Sequence, residues 1–210
     1  MITLYSIPES LYSAKLRIVM RMKGISFEEV PPPGGYGSDA YKKVVPAGTV
    51  PAIVHDAFVL ADSEAIAEYL NEVFDAPQML PGDAKARARA RERSRFHDTR
   101  LEPEVRAMFG QIAPGRDDAL VAAKGAMINT RLGQLAELVA GHQGVTLGDV
   151  GFPISFLWID LFAPVLGWNV QWPEAVSHYR AALENDPFVA EELQSYRPHA
   201  EAWVRLKSGA

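Results

Sequence analysis

The feature that most constrains the fold of this chain is a pair of short segments in its first third, residues 44–53 (VVPAGTVPAI) and 60–70 (LADSEAIAEYL). The first segment leads through a Val-Pro step into a strand. Proline holds the preceding residue extended, and a cis bond at Pro51 would aim the backbone of Val50 outward. The second segment places Asp62 and Ser63 at the start of a helix, where free amides attract an anion. Together they predict a site for an extended, peptide-like ligand with a free carboxylate.

Apolar periodicity predicts the order β-α-β, an irregular stretch, then β-β-α, followed by a linker and helices alone. The predicted strands are 1–7, 25–30, 52–55 and 58–60, and the helices before the linker (76–82) are 13–23 and 63–74. The helices after it are 84–112, 116–141, 147–167, 173–184, 187–195 and 198–206. Prolines near the first turn mark three helix starts, at Pro173, Pro187 and Pro198. Thr146-x-x-Asp149 resembles a capping box that begins the most apolar helix.

The run G-x-V-P-A-I at 48–53, a short hairpin and D-S-x-A-I at 62–66 together resemble the thioredoxin-like domain of the cytosolic glutathione transferases. The resemblance covers nearly the whole chain. It implies a thioredoxin-like α/β domain at 1–76, an all-α domain at 84–210 that contributes the second-substrate pocket, and a homodimer. It also implies that Val50 pairs by its backbone with the cysteinyl part of glutathione, that Pro51 is a cis proline, and that Asp62 and Ser63 hold the γ-glutamyl end.

The chain has no cysteine, so a thiol used in its chemistry must come from the ligand. A free thiol with a pKa of about 8.5 is mostly protonated at neutral pH, and the thiolate is the nucleophile. The task is therefore to stabilise the thiolate with a hydroxyl donor. The resemblance aligns Ser10 with the catalytic serine of the theta, tau and phi classes. The alternative interpretation is that Ser10 only caps the first helix; catalysis is favoured over it, and the two roles are compatible. Tyr5 is the other candidate for this hydroxyl donor, but its alignment with the catalytic tyrosine of the tyrosine-type enzymes is off by one residue. On a strand, a shift of one residue places the side chain on the opposite face of the sheet.

The resemblance assigns the second-substrate pocket to Tyr12, His97, Arg100, Met108 and Phe109, although aromatic residues at helical spacing are more often core. Two departures from the family pattern are visible. Many relatives have a basic residue or glutamine where this chain has Thr49, so the contact to the glycine carboxylate of glutathione is open, with Lys42 or Lys43 as candidates. The zeta-class isomerases carry Ser-Ser-Cys where this chain reads Ser-Leu-Tyr at 10–12.

Charge and composition exclude several other classes of protein. The formal net charge of −5 argues against nucleic-acid binding, and the start of the chain lacks a signal-peptide pattern, which predicts a cytoplasmic location. The apolar stretch 150–168 predicts a buried helix rather than a membrane span, since it contains an acid and two prolines. The histidines show no metal-ligand spacing, so no metal is expected. The basic stretch 85–95 predicts a solvated helix face that pairs with Glu64 and Glu68 across a dimer interface.

The function that these residues and the resemblance favour is a glutathione transferase of the detoxification type, which directs the thiolate of glutathione at a hydrophobic electrophile. Two alternatives remain open. One is a glutathione-dependent isomerase or dehalogenase, in which the thiolate adds and later leaves. The other is a non-catalytic binding module with the same fold, since fold alone does not imply activity.

Overall fold

The first third of the chain forms a four-stranded mixed sheet with helices packed against it. The computed structural model describes residues 1–80 and 82–209, so Pro81 of the predicted linker and Ala210 of the predicted second domain lie outside the described residues. The strands are β1 (Ile2–Tyr5), β2 (Phe27–Val30), β3 (Ala52–His55) and β4 (Phe58–Ala61), in the order β2-β1-β3-β4. β2 is parallel to β1, whereas β3 is antiparallel to both β1 and β4.

Three helices complete this α/β region: α1 (Leu11–Met22), α2 (Asp39–Lys42) and α3 (Ser63–Val73). The single turn of α2 was not predicted, because it lies within a stretch whose prolines and glycines indicate a loop. Leu4 of β1, Leu16 of α1 and Ile66 of α3 are wholly buried in one apolar core, as their periodicity predicts. The thioredoxin-like fold of this region is confirmed.

The rest of the chain is helical, with α4 (Ala84–Phe96), α5 (Glu102–Phe109), α6 (Asp118–Leu138), α7 (Phe152–Leu166), α8 (Glu174–Glu184) and α9 (Pro187–Ser208). Helix α7 is the centre of this helical region, since Phe152, Phe156, Trp158 and Phe162 are wholly buried. Within residues 1–80 and 82–209, no helix combines the length and apolar character needed to cross a membrane.

The predicted continuous helix at 84–112 is wrong, because a π-helical turn at His97–Leu101 separates α4 from α5. The five residues of the turn contain no proline or glycine, but Pro103 follows in the first turn of α5, where it has no amide to bond back to the turn. The prediction did not use this signal. His97, the first residue of this turn, lies in the interior and packs closely on Gly151, where an added Cβ would lie 2.5 Å from the imidazole ring. A π turn adds one residue to the helical repeat, so every side chain after it changes face relative to a regular helix.

The predicted break at Pro198 is also wrong, because α9 runs without interruption through that residue. Pro198 lies on the exposed face of α9, whereas Tyr196 and Ala200 on either side of it are buried. The missing amide therefore falls where water can satisfy the freed carbonyl, and the buried face holds the helix together.

The predicted capping box closes a turn three residues ahead of its helix, since α7 begins at Phe152. The carboxylate of Asp149 accepts from the Thr146 amide at 2.8 Å, as in a capping box. It also accepts from Arg93 at 2.8 Å and from the Tyr179 hydroxyl at 2.7 Å. Asp149 is wholly buried, so this residue joins α4, the turn before α7 and α8 as well as closing the turn.

Candidate functional site

A cleft of about 720 Å³ lies where the α/β region meets the helical region. One wall comes from the α/β region and includes all five residues predicted to bind and activate glutathione: Ser10, Val50, Pro51, Asp62 and Ser63. Segments that are far apart in the sequence therefore meet at one site. Their roles toward a ligand remain predictions, whereas their assembly in one cleft is a feature of the structure.

The Val50–Pro51 peptide bond is cis, as predicted. Within the described part of the chain, Val50 makes no backbone hydrogen bond, so its N–H and C=O are open to an extended ligand. The loop before Val50 is fixed in position, because the hydroxyl of the wholly buried Tyr41 donates to the Thr49 carbonyl at 2.8 Å. Burial raises the pKa of Tyr41 to about 12, which keeps this donor protonated. The cleft thus presents a fixed, unpaired piece of backbone.

Asp62 caps α3 and brings Ser63 to the cleft. Its carboxylate accepts from the amides of Glu64 at 2.9 Å and Ala65 at 3.0 Å. Asp62 has a φ of 80°, in the left-handed region, which turns the chain sharply from β4 into the helix. Ser63 follows as the first helical residue, and the positive end of the helix dipole therefore faces the cleft where a carboxylate is expected.

Ser10 is the N-cap of α1, and its Oγ accepts from the Ser13 amide at 3.2 Å. A hydroxyl has one proton to donate and two lone pairs. Capping uses a lone pair, so the proton of Ser10 remains available to a thiolate in the cleft. The predicted compatibility of the two roles therefore holds geometrically. Tyr5, the other candidate for the hydroxyl donor, does not line the cleft. It packs against Tyr41, with ring centroids 5.4 Å apart.

The side of the cleft that faces the helical region is aromatic and carries one stacked cation. Tyr12 and Phe109 line it, as predicted, together with Arg106 and Trp203, which were not predicted. The Arg106 guanidinium lies 5.8 Å from the ring centroid of Tyr12 and 5.4 Å from that of Phe109. Burial, and next the charge of Glu102, raise the pKa of Tyr12, so its hydroxyl stays protonated. This surface suits a planar, mostly apolar molecule.

Three residues expected in the second-substrate pocket do not line the cleft, which corrects the prediction for His97, Arg100 and Met108. His97 is 1% exposed, because its ring packs against Gly151 and bonds to Asp98 and Ser155. Met108 is wholly buried in the core of the helical region. Arg100 is exposed outside the cleft.

A buried ionic cluster reaches the cleft through Asp98, and sequence reasoning did not find it. Lys15 is only 1% exposed, and its Nζ donates to Glu64 at 2.7 Å and to Asp98 at 3.1 Å. Ser94 also donates to Glu64, at 2.6 Å, and His97 lies 2.6 Å from the other oxygen of Asp98. Asp98 itself lines the cleft. The only sequence signal was a lysine within the amphipathic pattern of α1, and its burial becomes visible only when α3 and α4 are placed over it.

The acids expected to pair across a dimer interface are bonded within one chain, which corrects that prediction. Arg91 donates to Glu68 at 2.8 and 3.0 Å, and Glu64 belongs to the buried cluster. The reason is that side chains of α3 and α4 meet within the same chain. The basic stretch is also not a uniformly solvated face, since Arg93 bonds to the buried Asp149 and Arg95 lines the cleft.

The two candidates for the glycine carboxylate, Lys42 and Lys43, do not line the cleft, whereas Thr49, which departs from the family pattern, does. Further lining residues that were not predicted are Ile7, Glu9, Tyr36, Arg95, Asp98 and Thr99. Among the described residues, no group of histidine, aspartate or glutamate side chains is arranged to hold a metal ion.

Comparison with known proteins adds to this geometry. Residues 4–78 match the family described as "Glutathione S-transferase, N-terminal domain". Glutathione S-transferase 1 of Dianthus caryophyllus is 31% identical over 179 residues, which cover 81% of this chain and 80% of that protein. Maleylpyruvate isomerase of Ralstonia sp is 38% identical over 91 residues, which cover 42% of this chain and 43% of the isomerase.

Among solved structures, a glutathione transferase of Bombyx mori superposes with a TM-score of 0.82 at 19% identity, covering 96% of this chain and 97% of that one. At that identity the likeness concerns the fold alone. It includes both the α/β region and the helical region, in agreement with the predicted architecture.

Proposed function

The chain belongs to the glutathione S-transferase family, and on that premise we propose that it binds glutathione in the cleft, activates its thiol with Ser10 and directs the thiolate at a hydrophobic electrophile. The open backbone of Val50, next to the cis Pro51, would pair with the cysteinyl part of glutathione. Asp62 and Ser63 would hold the γ-glutamyl end at the start of α3. These placements follow the family pattern residue by residue.

The observation that carries this proposal is the geometry of Ser10. Its Oγ accepts from an amide at the start of α1, so its proton is free, and it shares the cleft with Val50 and Ser63. One unit of thiol pKa depression requires about 1.4 kcal/mol, which one charge-assisted hydrogen bond can supply. The helix dipole of α1 acts in the same direction.

The electrophile would occupy the aromatic side of the cleft. Tyr12, Phe109 and Trp203 provide apolar surface, and Arg106 stacks on two of these rings. An apolar acceptor bound there displaces water from the approach to the thiolate, which strengthens every electrostatic interaction in the cleft.

The test is an ultraviolet titration of the glutathione thiolate in wild type, Ser10→Ala and Ser13→Ala. Ser13→Ala is the matched control. Ser13 lies one turn along α1 from Ser10, and its buried hydroxyl has no hydrogen-bond partner among the described residues. We expect a thiolate band near neutral pH in wild type and Ser13→Ala. Ser10→Ala should keep binding glutathione but lose the band, with kcat/KM lower by about 100-fold, as for the loss of one transition-state donor.

The absence of a thiolate band from wild type would refute thiol activation. Glutathione binding without that band would then favour the non-catalytic binding module.

A second candidate is glutathione-dependent isomerisation, which the match to the Ralstonia maleylpyruvate isomerase favours. In that reaction the sulfur–carbon bond forms, the adduct rotates and the same bond breaks, so glutathione is regenerated. Substrate turnover with glutathione far below the substrate concentration would identify the isomerase, whereas one-to-one consumption of glutathione would identify the transferase. Release of halide from a halogenated acceptor would identify the related dehalogenase.

We also propose that the enzyme acts as a cytoplasmic homodimer. Sedimentation equilibrium at micromolar concentration should return twice the mass of one chain. A concentration-independent monomer would refute the dimer without affecting the assignment of Ser10.

A further inference from the structure

The turn that carries Ser10 has open space on two sides. Ile7, Glu9 and Ser10 line the cleft, whereas Pro8 lines a separate cavity of about 470 Å³ between α1, β2 and α9. A turn with few packed neighbours depends on hydrogen bonds for its position. Within the turn, the Ser10 amide donates to the Ile7 carbonyl at 3.1 Å.

The helical region provides a further bond to this turn. The hydroxyl of Tyr196 on α9 donates to the Glu9 carbonyl at 2.7 Å, and the Trp158 indole donates to the same hydroxyl at 2.9 Å. Tyr196 is 1% exposed and Trp158 is wholly buried. In such surroundings a hydrogen bond is stronger than in water, and linked bonds reinforce one another.

Helix α9 is itself fixed against α1, so Tyr196 holds the turn from a rigid position. The wholly buried Glu192, one turn before Tyr196, accepts from Arg17 at 2.7 and 2.9 Å and from Arg21. Arg17 and Arg21 belong to α1, whose N-cap is Ser10. These ion pairs therefore join α1 and α9, the two helices that support the turn.

We propose that Tyr196 is a positioning residue for Ser10: its hydroxyl holds the Glu9 carbonyl and so sets where the Ser10 hydroxyl points in the cleft. For its effect on catalysis this inference rests on the proposed thiol activation. Ser10 and Tyr196 differ in kind, since Ser10 faces the ligand, whereas Tyr196 reaches only the backbone next to it.

The expected consequence of removing the Tyr196 hydroxyl is a pH-dependent defect. A displaced Ser10 stabilises the thiolate less, so kcat/KM at pH 6.5 should fall about three- to tenfold, the range that corresponds to one hydrogen bond. At pH above about 9 the thiol ionises without help, and the defect should disappear. A general loosening of the fold would lower activity at every pH.

The test compares Tyr196→Phe with Tyr179→Phe. Both remove one buried phenol oxygen from the helical region, but the Tyr179 hydroxyl donates to Asp149 and does not contact the turn. We expect the midpoint of the thiolate titration to rise by about half to one unit in Tyr196→Phe, as the same fold-change implies, with glutathione affinity within twofold of wild type. Tyr179→Phe should lower thermal stability and leave the midpoint unchanged. An unchanged midpoint in Tyr196→Phe, or an equal shift in both variants, would overturn the proposal.

Hydrogen–deuterium exchange of residues 7–14 gives a readout that does not depend on catalysis. Faster exchange of this segment in Tyr196→Phe, but not in Tyr179→Phe, supports the positioning role even if wild type forms no thiolate, a result that would refute the proposed function alone. Exchange equal to wild type would overturn it. If Tyr196→Phe does not fold, Trp158→Phe, which removes the donor that orients the same hydroxyl, should show a smaller change in the same direction, and no change there counts against the proposal.

Discussion

The two walls of the cleft are built by different means. On the α/β wall, each residue assigned to glutathione sits at a backbone feature made within a few residues: the N-cap Ser10, the cis Pro51 and the N-cap Asp62. On the helical wall, Arg106 and Trp203 reach the cleft because of how α5 and α9 pack. The first wall can be read from short motifs, whereas the second depends on the rotation of each helix.

This difference predicts that the two walls have separate functions, which mutations can test. Changes on the α/β wall should affect glutathione and leave the acceptor alone, and changes on the helical wall should do the reverse. The buried cluster of Lys15, Glu64 and Asp98 joins the walls, so its loss should weaken their connection rather than either binding step.

The largest effect is expected from Met108→Ala. Met108 is wholly buried in the helical core, and such a truncation lowers the free energy of unfolding by about 2–5 kcal/mol. Its neighbour Phe109 faces the cleft, so Phe109→Leu should instead raise the acceptor KM about three- to tenfold, a factor typical of one lost aromatic contact. Urea unfolding and steady-state kinetics at saturating glutathione measure the two. A raised acceptor KM in Met108→Ala, with stability retained, would contradict this assignment of faces.

The second-largest effect is a loss of stability when the buried cluster of Lys15, Glu64 and Asp98 is disrupted, and it depends on pH. Burial alone would raise the pKa of Asp98, but hydrogen bonds with His97 and Lys15 lower it to about 2, from 3.8. A carboxyl whose pKa is depressed on folding stabilises the protein above its unfolded pKa, and this contribution is lost as the pH falls through the folded pKa. Asp98→Asn should therefore lower the free energy of unfolding by about 2 kcal/mol at pH 6, with the difference from wild type vanishing between about pH 4 and pH 2.

Urea unfolding at several pH values measures this difference. Asp118→Asn is the control, because the side chain of Asp118 is 82% exposed and its pair with Arg116 should contribute less than about 1 kcal/mol. If the difference in the free energy of unfolding between Asp98→Asn and wild type stays constant down to pH 2, the charge of Asp98 does not stabilise the buried cluster.

The smallest effect on stability is expected from Asp62→Gly, which should instead weaken glutathione binding. Asp117 caps α6 in the same way, accepting from two amides at 3.0 Å, and it does not line the cleft, so Asp117→Gly is the matched control. Glycine avoids strain at the positive φ of Asp62 and costs only about a few tenths of a kcal/mol at an N-cap. Calorimetry should show glutathione affinity about tenfold weaker for Asp62→Gly, the size of one bond to a charged group, and unchanged for Asp117→Gly. Equal affinities would make Asp62 a cap alone.

How far sequence reasoning reached depends on the distance over which each feature is encoded. The order of elements before the linker, apart from α2, was predicted, as were the cis Pro51 and helix caps at Ser10 and at Asp62 or Ser63, because each arises from neighbouring residues. His97 was misplaced because its burial follows from the packing of the end of α4 against Gly151, which no local pattern shows. Pro198 was misread as a helix start because its exposure, which makes the proline tolerable, follows from the packing of α9.

The sequence by itself determined the thioredoxin-like fold, the family and the α/β wall of the cleft, since φ preferences, caps and apolar periodicity act over a few residues. Only the tertiary structure decided which helical side chains face the cleft, that Lys15 is buried between two acids, and that Tyr196 holds the turn before Ser10. Those contacts join segments up to 187 residues apart. Their existence depends on how whole helices pack and rotate, which no local pattern specifies.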